Sequence, residues 1–421
     1  MTDALTAKTC TYSDQRRLRL AYFVSHPIQY QSPMLRRIAE EPDIELKVFY
    51  SSDISVRETG YSDTGFGVNV KWDIPLLDGY NYEFLPVLRN ADQIGFAKPI
   101  NYGIRRILRQ QRFDAVWLHG YSTLTHLRAI QVSHSLGLPV LLRTDSTLFD
   151  RPRSKSKLLF KSLFFRLLRP CVSGALAVGD ANADYWRHHL GQNFSIFPCH
   201  YAVDNSYFQN ACAVAAETRE QFRQSLGLDA GRPIILFASK LIPRKRCEDL
   251  VEAFLHLTDS RGDAPHPYLL IVGDGQERAA LEAQASRASA GDIRFLGFSN
   301  QSELPRFYDL CDVFVLPSVD EPWGLAINEV MNAGRAVIVT DEVGCQKDLV
   351  RDGVNGCVIR GRDVHALAKS LQAVLASEQT WQAMGAESLK IIQNFSFDQN
   401  VAGLRQALQH LVPGFTAKPL E

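Results

Sequence analysis

Two glutamates flanking a glycine make the most chemically suggestive segment of the chain. Pro317 to Ile338 reads P-S-V-D-E-P-W-G-L-A-I-N-E-V-M-N-A-G-R-A-V-I, with Glu321 in a turn just after an apolar run ending at Leu316. Pro322 and Gly324 complete the turn. A helix is expected from about Leu325 to Ala333 and a strand from about Ala336. Glu321 then sits in the turn ahead of the helix, and Glu329 lies one helical turn beyond its first. Gly324 would let backbone and ligand approach closely, and the free N–H groups of the following turn suit an anion. Taken alone, the two carboxylates read more readily as solvated helix-end charges favoured by the dipole.

Other polar side chains fall at the ends of apolar runs. The first run, Leu18–Ser25, leads into S-H-P-I-Q-Y, which carries His26 and Gln29. A cis-prone His–Pro turn with a capping role explains that segment equally well. D-A-V-W-L-H-G ends on His119, and L-R-T-D-S carries Arg143 and Asp145. A lone histidine after a strand is more often a packed or capping residue.

These residues need elements to hold them. Runs such as Ile44–Tyr50, Ala115–His119, Pro233–Ala238, Tyr268–Val272, Val313–Leu316 and Ala336–Val339 read as buried strands. Segments of helical period, including Leu124–His134, Lys157–Leu168, Cys247–Leu257 and Val364–Ala376, lie between them. Strands alternating with 10–15-residue helices predict an α/β protein with parallel sheets. Two such series join near 205–232, where Asn210–Glu220 is polar, Ala-rich and without strand character. The expectation is two doubly wound, Rossmann-like domains facing across a cleft, where the strand ends present ligand sites. Residues 1–205 form the first domain and 206–396 the second, with an amphipathic helix in 397–421 packing back on the first.

Composition narrows the function. The 421 residues are 46% hydrophobic and 22% charged, which is globular and too long for one ordinary core. Forty-six basic and 46 acidic residues cancel, so nothing points to nucleic acid. Eight cysteines without a C-x-x-C pair match neither a zinc site nor a disulfide framework. Met1–Arg17 is polar, so no secretory signal is expected, and no run approaches ~18 apolar residues. The expected location is cytoplasmic, with peripheral attachment to the inner face of the plasma membrane as the open alternative.

The segment around Glu321 and Glu329 resembles the signature of the GT-B retaining glycosyltransferases of family 4, also called group 1. Neighbouring segments match in order. Ser239-Lys-Leu-Ile-Pro-Arg-Lys-Arg is similar to the family's G-R-L-x-x-x-K-G loop, and Leu270-Ile-Val-Gly-Asp-Gly to its next strand and turn. Asp341-Glu-Val-Gly and Asp352-Gly-Val-Asn-Gly continue the resemblance, which covers about 233–376 densely. It implies transfer of a sugar from a nucleotide-diphosphate sugar to a saccharide or lipid-linked acceptor in polysaccharide or glycolipid biosynthesis. Lys240 and Lys245 would stabilise the leaving diphosphate as it gains charge. Where the family usually has Arg and Gly, this chain has Lys240 and Arg246. Arg246 either compensates for Lys240 or faces solvent.

By the same resemblance, Glu329 accepts hydrogen bonds from ribose hydroxyls and Glu321 faces the transferred sugar. Gly324 and Leu325 give backbone contacts, and the base lies near Gly297, Phe298 and Ser299. The S-H-P-I-Q-Y opening resembles a bacterial branch of the family, making His26 and Gln29 candidates for cleft contacts. His119 matches a histidine that contacts the sugar. With no Asp-x-Asp at a strand end and no histidine pair at ligand spacing, metal-independent chemistry without a cofactor is expected. The rival readings are a GT-B nucleotide-sugar epimerase or hydrolase and a non-catalytic nucleotide-sugar-binding protein.

Arg151 to Arg169 holds seven cations, no acid, and Leu and Phe at eight positions. Such a helix suits an anionic lipid surface, and equally an ordinary helix with one buried and one basic face.

Overall fold

A computed structural model gives the structure of the protein. It describes residues 16–58, 60–63, 68–148, 155–259, 266–289 and 291–416, so Cys10, Arg151, Arg153 and 417–421 lie outside the described residues.

Two parallel sheets organise the chain. The first has seven strands in the order Ile196–Pro198, Gly174–Ala177, Val140–Thr144, Ala115–His119, Leu18–Val24, Ile44–Tyr50 and Asn81–Phe84. The second has six, in the order Ile293–Gly297, Tyr268–Val272, Ile234–Ala238, Val313–Leu316, Ala336–Thr340 and Gly356–Ile359. Helices cover both faces, so the central strands are apolar without alternation: IILFA, YLLIV and AVIVT are buried at every residue. In each sheet the strand order reverses beside its first strand, between Leu18–Val24 and Ala115–His119, and between Ile234–Ala238 and Val313–Leu316. Ligands of open α/β sheets bind at such reversals, outside the carboxyl ends of the strands.

Alternation of strand and helix made these strands legible. Short pairings outside the rhythm were not expected. Asn81–Phe84 adds a polar edge strand, and Tyr61–Asp63 with Val68–Val70 forms an antiparallel arm beside the first sheet. The His26–Pro27 bond is trans, against the cis-prone reading; the cis peptide among the described residues is Lys98–Pro99.

The stretch after residue 204 is helical, Asn205–Glu217 then Arg219–Ser225. Phe208 and Cys212 pack into the core of the second sheet. The helix Phe397–Leu411 crosses back and buries Val401, Leu404, Ala407 and Leu408 against the first sheet. Gly403 passes Pro198 so closely that a Cβ would stand 1.6 Å from its carbonyl oxygen. Arg405 ion-pairs there with Glu41 at 2.6 Å and also with Asp43, all three largely buried.

The domains also meet through Trp323. Its indole N–H donates to Asn328 at 2.8 Å, while Asn328 donates to the Tyr201 carbonyl at 3.1 Å. Gly179 faces the Trp323 ring so tightly that a Cβ would lie 2.2 Å from it.

Candidate active site

A cavity of about 320 Å³ opens between the two strand reversals. His26, Gln29 and Tyr30 line it from the first domain, and Lys240, Arg244, Lys245, Phe298, Leu325 and Glu329 from the second.

Glu321 is not among the residues lining this cavity, but pairs with two cations that are, Arg244 and Lys245. The turn after Val313–Leu316 adds a backbone bridge, in which the Glu321 N–H donates to Glu342 at 3.1 Å and its carbonyl accepts from Gly344 at 2.9 Å. Gly344 has no room for a Cβ, which would lie 1.9 Å from the Pro322 carbonyl oxygen. So fixed, the Glu321 carboxylate accepts from Arg244 Nη1 at 2.9 Å and pairs with Lys245 Nζ through the same Oε2. Burial pushes the Glu321 carboxyl up, but Lys245 and Arg244 outweigh it and hold the group below its ordinary range. Burial lowers the Lys245 ammonium, with Glu321 opposing. The cluster is two cations on one carboxylate, leaving net positive charge where Arg244 and Lys245 line the cavity.

Arg244 was not singled out from the sequence. The short 3-10 turn Pro243–Lys245, started by Pro243, points it to the same carboxylate as its neighbour. Lys240 lines the cavity beside them. Arg246 neither compensates nor faces solvent. Its guanidinium is spent on Asp249, at 2.7 and 2.8 Å, and on Glu248. Its φ of 52° is left-handed, the conformation that glycine adopts without strain.

Glu329 also lines the cavity and accepts from the Tyr308 hydroxyl at 2.6 Å. Burial pushes its carboxyl up to about 7, against the pull of that hydrogen bond. Tyr308 lies on the helix Leu304–Leu310, where nothing in the sequence marked it.

Gly324 is required by packing, and it is not among the residues lining the cavity. Its φ is 96°, and a Cβ would lie 2.8 Å from Leu316 and 3.1 Å from Val343. Leu325, next along, reaches the cavity. Phe298 and Ser299 reach it too, whereas Gly297 stays behind them with its carbonyl accepting from the Gly273 N–H at 2.7 Å.

On the first domain, His26 contacts Ser25 Oγ at 2.8 Å and lines the cavity, its imidazole lowered to about 4 by burial. Gln29 joins it. His119 is not among the residues lining this cavity. Burial, with Arg143 adding to it, holds its imidazole well below the ordinary range, and its Nδ1 has no hydrogen-bond partner among the described residues. Arg143 is not a cleft contact. It is fully buried, donates to the carbonyls of Cys199 and His200 at 2.9 and 3.1 Å, and stacks over Tyr201. Its charge fixes the segment leading into the second domain. Asp145 lines a neighbouring cavity, and burial, with Glu321 adding, raises its carboxyl. Among the described residues no group of three or more His, Cys, Asp or Glu side chains could hold a metal ion.

Residues 218–390 match the family model for glycosyl transferases group 1. The chain is 30% identical over 195 residues to a D-inositol 3-phosphate glycosyltransferase of Nocardia farcinica, covering 45% of this chain and 43% of that protein. It is 32% identical over 155 residues to LpsE of Rhizobium meliloti, a lipopolysaccharide core biosynthesis glycosyltransferase, covering 37% and 43%. The chain thus spans less than half the length of these curated relatives. The whole architecture superposes on Anabaena HepE in complex with UDP and glucose, with a TM-score of 0.67, 17% identity, and coverage of 94% of this chain and 100% of that one. The two facing parallel-sheet domains are a GT-B fold.

Proposed function

We propose that the protein is a retaining glycosyltransferase of family 4. It would take a sugar from a nucleotide-diphosphate donor and attach it to a saccharide or lipid-linked acceptor, in polysaccharide or glycolipid assembly. The observation that carries this reading is the Glu321–Lys245–Arg244 cluster, whose two cations line a cavity shared by two domains, with Lys240 and Glu329 lining it too. When the bond from the sugar to the diphosphate breaks, the leaving group gains negative charge. Preorganised cations in a half-enclosed cleft stabilise that charge without reorganising. Excess cation over Glu321 provides this; a cluster neutral overall would not.

Glu329, an acceptor when ionised, suits ribose hydroxyls, and Glu321 would face the transferred sugar, as the resemblance of its segment implies. Retention of configuration rests on the resemblance of the Glu321–Glu329 segment. His119 and Asp145 belong to the acceptor side in this reading. The acceptor-side domain is 1–205 with 397–421, and the donor-side domain is 206–396. Leaving-group charge would be met by side chains, so the reaction needs neither metal nor cofactor.

The lipid-linked acceptor and a cytoplasmic, membrane-peripheral location are supported by the helix Lys155–Leu168, which exposes Leu159, Phe160 and Leu167 among its cations. No described helix is long and apolar enough to cross a membrane.

The test is incubation with a panel of UDP-, GDP- and ADP-sugars, with and without lipid extract. Acceptor-dependent release of nucleotide supports the proposal. Acceptor-independent release means an epimerase or hydrolase, and binding without turnover means a binding protein.

A further inference from the structure

Trp72 belongs to the first domain yet lines the cavity whose charged wall is built by the second. It follows the antiparallel arm Tyr61–Asp63 and Val68–Val70, outside the seven-stranded sheet. Both of its chain neighbours are tied to one loop of the second domain. Asn300 Nδ2 donates to the Lys71 carbonyl at 2.8 Å, and the Ser302 N–H donates to the Asp73 carboxylate at 3.2 Å, with the Ser302 hydroxyl on the same oxygen. That loop begins with Phe298 and Ser299, which line the same cavity after the strand Ile293–Gly297.

The arm therefore brings an indole to the 298–302 loop, in the cavity that Arg244 and Lys245 also line. Trp72 is half-buried. A large flat apolar surface in a polar cleft, pinned on both sides, is suited to a planar ring. Hydrogen bonds on its two neighbours fix it in advance, so little order is lost when a ligand arrives.

We propose that Trp72 is a stacking residue for the nucleobase of the donor, contributed by the first domain to a site otherwise built by the second. This deepens the glycosyltransferase reading and rests on it. The arm thereby gains a role, because the base site is complete only while Lys71 and Asp73 hold the 300–302 loop. Every base offers a π-face, so Trp72 adds affinity without choosing among bases.

The experiment is titration calorimetry of UDP, GDP, ADP and inorganic pyrophosphate against the full chain and its variants. Trp72→Ala should weaken the best-bound nucleoside diphosphate roughly ten- to hundredfold, the usual loss for one stacked base. Trp72→Phe should recover most of that loss, and pyrophosphate, which has no base, should bind all three proteins alike. Asp73→Ala, which frees the arm, should also weaken the nucleotide and spare pyrophosphate. Unchanged nucleotide affinity in Trp72→Ala overturns the assignment. So does an equal loss for pyrophosphate, which would make the indole a structural support only. A wild-type protein that binds pyrophosphate but no nucleoside diphosphate also overturns it, and one that binds neither overturns the glycosyltransferase reading beneath it.

Discussion

Lys245 and Glu321 form an ion pair in which neither side chain is more than a tenth exposed, and Arg244 shares the same carboxylate oxygen. A buried pair alone is weak support for stability, because desolvation offsets much of the attraction. Here the second cation leaves the cluster positive where an anion would arrive. Lys245→Ala should therefore lower turnover by roughly 10²–10³, the usual loss for one group that stabilises transition-state charge. Single-turnover kinetics at saturating donor would read it. A loss of tenfold or less would place Lys245 outside the leaving-group clamp.

Glu329 carries the pH dependence. Its carboxyl, pushed up to about 7 by burial, holds a proton below neutrality and accepts hydrogen bonds fully only above it. Nucleotide affinity should fall as pH drops from about 8 to 6, beyond the change seen for free diphosphate ionisation. In Glu329→Gln this extra slope should vanish. The stability sign is opposite. A carboxyl whose folded value is raised contributes stability at low pH and loses it as pH rises toward about 7. The variant should thus compare best with wild type in chemical denaturation at pH 8. An identical affinity profile in both proteins would remove Glu329 from the ribose site.

The sheets were readable because a strand buried on both faces has to be apolar almost throughout, as Ile234–Ala238 is and as Ala336–Thr340 is up to its last residue. The Glu321–Glu329 spacing and the lysine loop were readable for a different reason, since a local motif travels intact with its turn. What escaped were partners set by the tertiary fold. Arg244 and Tyr308 meet the two glutamates only because a 3-10 turn and the helix Leu304–Leu310 aim them there. Trp72 reaches the cavity on an arm with no periodic signal. Arg143 misled for the converse reason: its strand-end position promised a cleft contact, while its side chain turns back to bind Cys199 and His200.

Arg405 joins the last helix to the first domain by pairing with Glu41 and Asp43, all three nearly inaccessible. Removing the arginine takes one cation from two buried carboxylates, of which Glu41 keeps Arg37 at 2.5 Å. Arg405→Met should lower the stability of the first domain by about 3–5 kcal/mol, read as a shifted transition in urea. Adding Glu41→Gln and Asp43→Asn to the same protein should recover part of the loss. A single Arg405→Met variant as stable as wild type would mean that apolar packing of Leu404 and Leu408 alone holds the helix.

Chelation tests whether side-chain cations suffice. With Arg244, Lys245 and Lys240 facing one cavity, transfer should proceed at an unchanged rate in EDTA. Complete loss of activity, restored by magnesium or manganese, would show that the cations do not carry the leaving-group charge alone.

The helix Lys155–Leu168 divides its aromatic residues between two environments. Phe165 is buried against His189 and Tyr185, while Phe160 is 73% and Leu159 71% exposed, with Leu167 close behind at 68%. Periodicity could not decide which phenylalanines face outward; the structure gives Phe160. Lys157 and Arg166 lie on the same helix, and no acid interrupts it. Each cation near an anionic surface contributes about 1 kcal/mol, and each large apolar side chain inserted contributes roughly 1.5–3 kcal/mol. The protein should therefore co-sediment with vesicles rich in anionic lipid, less at high salt as charges are screened. Leu159→Asp with Phe160→Asp, both at exposed sites where folding is spared, should abolish sedimentation while leaving nucleotide affinity intact. Reversing Lys157 and Arg166 to Glu should do the same at low salt. If the wild type ignores anionic vesicles, or the doubly substituted protein still sediments, the exposed face does not engage lipid and the acceptor must reach the cleft from solution.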